Sequence, residues 1–512
     1  MINLRKWNKA LNIAYMNAGV FFLLSVLMFA FEPEYLLMIL MVPTIYFFGS
    51  MYTFFLMVRS GSVMIPVAWF ILGTGIFLGL GVVSGGLHAH PWADKLFGND
   101  VTYLINVNTL NSSSVLIIFS VVYIVLRYTS NNDYTINKQA KKLQQSSLIK
   151  FFPYIALIAF IGVTLKLIFF PIAEDLLLRS FIDKVYFFVP ACMLLFGILW
   201  RDINLGTKLI ASLVLIMSIT NGLLGFSKLD VITILSAFIV GVLVRNYSLK
   251  SIFISFSTII LVYIMINPIV TYGRAHIDYN AQHNSLSDRV KIITDLVSTY
   301  SESAELSIHP AYTPNPEKLG EFIASSKAVK LDEIITIKNQ TRQTGMRLDV
   351  ASIQGYLINE YNAGRRGESI DKFWTILIPR ILWKDKPIMT NNAGKLNAQY
   401  YGGGKGTESS AIAPTYVAEA YWNYGLMGVL IVSLYLGLII GWFSNLASKL
   451  LSEPKSGYFL IAFPSIIMFA HIESWVVPTY IGGLGTLIVI LLAFQMLLFI
   501  NNLIRFGNLN KG

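Results

Sequence analysis

The chain is 512 residues long, 55% apolar and only 13% charged, with a mean hydropathy of +0.61 and a formal net charge of +11. An average globular chain is about 25% charged, so this composition excludes a string of soluble domains. The single cysteine, Cys192, excludes an intrachain disulfide and a cysteine-built metal cluster.

The apolar residues recur in blocks of about 18–25, long enough to cross a hydrocarbon core of about 30 Å as helices. In chain order they predict twelve spans. The first nine cover 13–31, 36–58, 63–83, 103–126, 151–172, 185–200, 208–226, 230–244 and 251–270; the last three cover 424–446, 458–476 and 483–503. Arg5, Lys6 and Lys9 precede the first block, and no small-residue cleavage pattern follows it, so it reads as a span rather than a removable signal. Glu32 and Glu34 fill the first external loop; paired carboxylates there occur in transferases that use lipid-phosphate sugars, but the acidic residues that positive-inside statistics leave in a short outer loop are the simpler account of them. His88, His90 and Asp94 surround Pro91 and Trp92 and read as an interfacial turn rather than a metal site. The fourth span is the least apolar, with Asn106, Asn108, Asn111 and three serines in its first half. Lys166 falls midway through the fifth, where a cation must snorkel, pair or meet a ligand. Ser227 and Lys228 form a tight turn between the seventh and eighth.

Alternating the connecting segments locates the charge. One side carries 17 basic residues against three acidic ones, and the short segments of the other carry four basic against eight acidic. Under the positive-inside rule both termini are cytoplasmic. The charge is therefore a topology signal and calls for no nucleic acid. The same alternation puts a long polar insertion, 271–423, outside. It divides the chain into a nine-helix region, 1–270, the extracytoplasmic loop domain, and a three-helix region, 424–512. The expected fold class is an all-α polytopic membrane protein with one large, mainly helical external loop. Helical periodicity in that loop marks 287–305, 316–338 and 348–362.

The second half of the insertion concentrates chemistry. Arg347, Arg365, Arg366, Arg380, Lys384 and Lys386 lie within 40 residues. Guanidinium groups hold phosphate oxygens in pairs and lysines add point charge, although Asp349, Glu368, Asp371 and Asp385 lie close enough in sequence to neutralise them. In WTILIPRILWKDKP, Trp374 and Trp383 flank Pro379 and Arg380, the composition of a membrane–water boundary segment. The GGGKG run at 402–406 lacks the spacing and the hydroxyl of a phosphate-cradling loop and reads as a turn.

The order of RLD at 347–349, a glycine-bearing turn, IPRILWKDKP, a serine-containing stretch and AEAYWNYGLMG resembles the Wzy-type polymerases of O-antigen and capsule repeat units, over 347–428. The resemblance implies a glycosyltransferase of the bacterial cytoplasmic membrane. It would move a glycan from polyprenyl diphosphate, undecaprenyl in kind, to the non-reducing end of another lipid-linked repeat unit, with inversion and without a metal or cofactor. Its partners would be the lipid-linked donor and acceptor, membrane lipids, a chain-length regulator and a flippase. An O-antigen ligase shares this topology but uses a lipid A core acceptor; a lipid-oligosaccharide transporter would place binding groups at the midplane in internal repeats, which this chain lacks. Such a transfer needs cations for the departing diphosphate, with Arg380, Arg347 and Lys386 first in line. It also needs a base for the acceptor hydroxyl, for which Glu419, Asp349 and, less favoured, Glu360 are candidates. His471 and Glu473, at the outer end of the eleventh span, are ionisable groups in an apolar setting and read either as a polar helix cap or as further catalytic groups.

Overall fold

A computed structural model describes residues 4–33, 35–60, 65–87, 101–129, 138–169, 188–245, 349–378, 414–452 and 476–484, with isolated positions between them. Its elements are helical, the one backbone form that satisfies its own polar groups inside lipid without closing a barrel. They are α1 (Leu4–Phe31), α2 (Leu36–Ser60), α3 (Pro66–Thr74, extended by a π-helical turn Gly75–Leu80 and by Gly81–Leu87), α4 (Thr102–Thr129), α5 (Lys138–Phe169), α6 (Phe188–Leu199), α7 (Leu205–Leu224), α8 (Lys228–Arg245), α9 (Ala351–Asn362) and α10 (Tyr416–Ser452). A 3₁₀ turn at Phe373–Leu377 and a π-helical turn at Val476–Ile481 complete the described set.

The chain is an α-helical membrane protein. Seven of these helices are long and apolar enough to cross a bilayer, and α6 and α8 are shorter apolar helices. The seven overlap seven of the twelve expected spans, and α6 and α8 lie where two more were expected. The remaining three, at 251–270, 458–476 and 483–503, lie largely outside the described residues. Of the helical stretches expected in the insertion, α9 occupies 348–362, and the other two also lie largely outside.

The fourth span is continuous despite its amides and hydroxyls: Asn108, Asn111, Ser112 and Ser114 are buried against other helices, and Asn106 is exposed. Asn111 and Gln354 exchange side-chain hydrogen bonds of 3.1 and 3.2 Å. Ser114 shares a 2.6 Å bond with Ser433 and donates to the Tyr416 hydroxyl at 3.3 Å. Polar side chains that pair across helices act as glue where lipid offers no alternative partner. The seam between α4 and α10 is also close: Cβ atoms added to Gly437 and Gly441 would lie 2.7 and 3.0 Å from the Cβ atoms of Val121 and Val125. Cys192 is buried in α6, and the backbones of α6 and α8 touch where Gly197 and Gly241 cross.

Lys166 sits in the last turn of α5, whose described residues run to Phe169. Its ammonium lies 3.5 Å from Asp230 in the first turn of α8 and 3.8 Å from the centre of the Tyr186 ring. Each charge is thereby at the helix end whose dipole favours it. Replacing Lys166 by Met should destabilise the bundle by on the order of 1–3 kcal/mol by stranding the carboxylate. The Lys166→Met, Asp230→Asn double variant should lose less than the two single variants summed, as measured by thermal unfolding in detergent.

Candidate functional site

The site is assembled where the end of α9, the loop after it and the start of α10 meet. α9 buries Ala351, Ile353, Leu357 and Ile358, an i, i+4 stripe that docks on α10, α4 and the Gly81–Leu87 turn. It ends in a Schellman motif: Arg365 donates its backbone N–H to the Glu360 carbonyl and Gly364 to that of Tyr361, both at 2.9 Å. Gly364 takes φ +80° to close it. The chain then runs without regular structure to Ile370 and is fastened at each step to the start of α10. Gly367 donates its N–H to the Trp422 carbonyl at 2.9 Å. The Trp422 indole donates to the Arg365 carbonyl at 3.1 Å, and Ile370 donates its N–H to Asn423 Oδ1 at 3.1 Å. The Tyr424 hydroxyl bonds Asp371.

α10 itself is broken. Tyr424 and Gly425 leave helical geometry, with Gly425 at φ +60°, ψ −146°. The break coincides with 424, where the tenth span begins in the sequence, and sets a short helical piece, 416–423, apart from the rest of the helix. That piece carries Glu419.

Glu419 is 0% exposed. Oε1 accepts a 2.6 Å bond from Ser369, and Oε2 accepts the backbone N–H of Val476 from the second π-helical turn. Asn423, one turn further along α10, donates to Ser369 Oγ at 2.9 Å and to the Glu419 carbonyl at 2.8 Å. Among the described residues no ion pair reaches Glu419. A buried carboxylate normally needs a cation or several hydrogen bonds. Here the Ser369 hydroxyl and the Val476 N–H supply those bonds. Below it, Gln354 joins Asn111 to Thr415, and the Tyr416 and Tyr480 rings meet edge to face at 6.2 Å.

The other expected site residues divide into three groups. Asp349 caps α9: Oδ1 accepts the Ser352 N–H at 3.0 Å, Oδ2 accepts its hydroxyl, and Oδ1 lies against Gly85. Arg365 and Arg366 are exposed, at 65% and 57% of their side chains, and each has a carboxylate. Arg365 forks onto Glu360 with two 2.7 Å bonds; Arg366 reaches Asp371 at 3.2 Å and lies over the Tyr424 ring. Glu360 raises the Arg365 pKa through its hydrogen bond first and its charge second. Burial, then the Glu360 charge, pushes the nearby Tyr356 phenol up to about 12, which keeps it a neutral hydrogen-bonding group. Arg347, Arg380, Lys384, Lys386 and His471 lie outside the described residues, as do Glu34, His88, His90, Asp94, Glu473 and the glycine run at 402–406. Trp374 and Trp383 stack at 5.9 Å.

Ser369, Asn423, Gln354 and Tyr416 are the site residues that sequence reasoning missed. Asn423 had a signal, since four residues after Glu419 on a helix is the same face. Ser369 had none, being 50 residues away.

Arg366→Ala should leave the melting temperature in detergent essentially unchanged, because an exposed pair gains little over solvation of its partners. A marked loss of stability would show that the pair helps to hold the loop.

A domain of unknown function, DUF8712, matches residues 368–473, about one-fifth of the chain, and this stretch contains Ser369, Glu419 and Asn423. No curated protein and no solved structure matches the chain.

Proposed function

We propose that this chain is a Wzy-type polysaccharide polymerase of the bacterial cytoplasmic membrane, with twelve spans, both termini cytoplasmic and 271–423 outside. The observation that carries this reading is Glu419, a fully buried carboxyl group with no cation on it among the described residues, where the loop carrying Arg365 and Arg366 meets the start of a helix long and apolar enough to cross a membrane.

The step such a site would perform is a single displacement. A hydroxyl oxygen at the non-reducing end of the acceptor attacks the anomeric carbon of the donor glycan. The bond from that carbon to the polyprenyl diphosphate oxygen breaks, and its electron pair leaves on the diphosphate. The hydroxyl proton passes to Glu419. The departing charge is met by the cations of the loop, Arg365, Arg366, Arg347, Arg380, Lys384 and Lys386; donors placed beforehand where charge develops are the most effective stabilisers. Asp349 supports the site by holding the first turn of α9, with His471 as a second candidate for moving the proton.

The test is direct. The purified chain in lipid vesicles, given a synthetic polyprenyl-diphosphate oligosaccharide, should produce a ladder of repeat-unit multiples on a gel. If the protein is folded and the donor remains intact at every enzyme concentration, the reading is rejected.

A further inference from the structure

Resting on that reading, the geometry points to the acceptor subsite: we propose that the Ser369 hydroxyl occupies the place of the incoming saccharide hydroxyl, and that the loop 363–371 is a strap which must lift to admit it.

The argument starts from what surrounds one oxygen atom. Ser369 Oγ donates to Glu419 Oε1 at 2.6 Å and accepts from Asn423 Nδ2 at 2.9 Å. A hydroxyl about to lose its proton needs the same pair of neighbours: a carboxylate to receive the proton, and a donor that fixes a lone pair and stabilises the oxygen as it becomes a nucleophile. Both neighbours are themselves held. Glu419 Oε2 is tied to the Val476 N–H, so Oε1 is the oxygen aimed at the loop. Asn423 is fixed by the Glu419 carbonyl and the Ile370 N–H. The carboxylate and the amide therefore form a socket on one face of the 416–423 piece, and the residue seated in it comes from a different part of the chain.

The strap is built to be separable. Past the Schellman bonds of Gly364 and Arg365 to α9, the strap is fastened to α10, with the Gly367 and Ile370 N–H groups donating and the Arg365 carbonyl accepting. Its outer face carries exposed Arg365 and Arg366. Lifting it would break a handful of hydrogen bonds, uncover the Trp422 ring against which Gly367 lies and draw the partly buried Ile370 off the core, a limited apolar cost because the fully buried positions 367 and 369 are a glycine and a serine. Glu419, 0% exposed while Ser369 is in place, would then face the outside.

The experiment uses the full-length protein in vesicles and reads Glu419 without any substrate. Dicyclohexylcarbodiimide attacks carboxyl groups in apolar surroundings, and the modified peptide is counted by mass spectrometry. Ser369→Ala should label at Glu419 about tenfold faster or more, the factor expected when a charge-assisted hydrogen bond holding a local closure is lost. Asp371→Asn, which weakens the strap's outer fastening far from the carboxylate, should accelerate labelling in the same direction and decides the matter if Ser369→Ala folds poorly. Unchanged labelling in both overturns the strap. In the polymerase assay, Ser369→Ala should lower the acceptor KM by about threefold or more, because the internal competitor is gone. A lower kcat at an unchanged KM would instead mean that Ser369 only orients Glu419, and would overturn the subsite. Faster labelling with no ladder from the wild type would sink the polymerase reading and the saccharide occupant with it; unchanged labelling beside a normal ladder would sink the strap alone.

Discussion

Glu419→Gln should reduce the rate of glycan polymerisation by about 10²–10⁴-fold, the range that a positioned general base contributes. The substitution isolates chemistry from architecture. A glutamine oxygen can still accept one of the two bonds that the carboxylate takes from Ser369 and Val476, so the strap and the second π-helical turn keep most of their anchorage. What disappears is the capacity to take a proton. The expected result is a loss in kcat with donor affinity nearly retained, measured by single-turnover transfer alongside equilibrium binding of the lipid diphosphate. Equal losses in both would remove Glu419 as the base and make it a structural group. Because the carboxylate is removed from water and lacks a cation among the described residues, even Glu419→Asp should be poorly tolerated: shortening by one methylene moves the proton acceptor away from the socket formed with Asn423.

Gly425→Ala should be the most damaging small substitution in the described membrane region. Its φ of +60° with ψ −146° is open to glycine and strained for any residue with a side chain, at a cost of about 1–3 kcal/mol. A Cβ there would also stand 2.6 Å from the Tyr361 hydroxyl, which must shift. Tyr361 stacks edge to face on Tyr421 at 5.1 Å, and Tyr421 bonds Asn362, so the displacement would spread into the end of α9. The alternative for the chain is to straighten α10 through 424, which would carry Glu419 away from Ser369. Lower thermal stability and loss of polymer are both expected; a variant with normal stability and normal ladders would show that the break in α10 is not needed.

The contrast between what the sequence made legible and what it hid follows from the kind of force involved. The spans were readable because hydrocarbon demands long apolar helices, and α1 to α5, α7 and α10 overlap the blocks, although α1, α5 and α10 start eight or more residues before theirs. Glu419 was readable as an acid beside a span. The fastenings of the strap were not, because bonds between 363–371 and 416–424 join segments separated by about fifty residues with no periodicity to link them. Arg365 and Arg366 show what the fold adds: as a cluster they suggest a diphosphate, and in the fold each also has a carboxylate neighbour, which for Arg365 is Glu360, a candidate base in the sequence. The amides of α4 misled. With the serines beside them they made the fourth span look doubtful, yet Asn111 pairs with Gln354 and Ser114 with the hydroxyls of α10 on its buried face, while Asn106 is exposed. The π-helical turns at Gly75–Leu80 and Val476–Ile481 were invisible, since an extra residue in one turn leaves no compositional mark.

The sequestered thiol of Cys192 has a practical corollary. With its one native sulfhydryl shut inside α6, the wild-type chain should give almost no background with membrane-impermeant maleimides, so reporter cysteines can be introduced one at a time into an otherwise unaltered protein. Sidedness of every connecting segment, including the stretch that the polymerase scheme requires to be extracytoplasmic, then becomes measurable on intact cells.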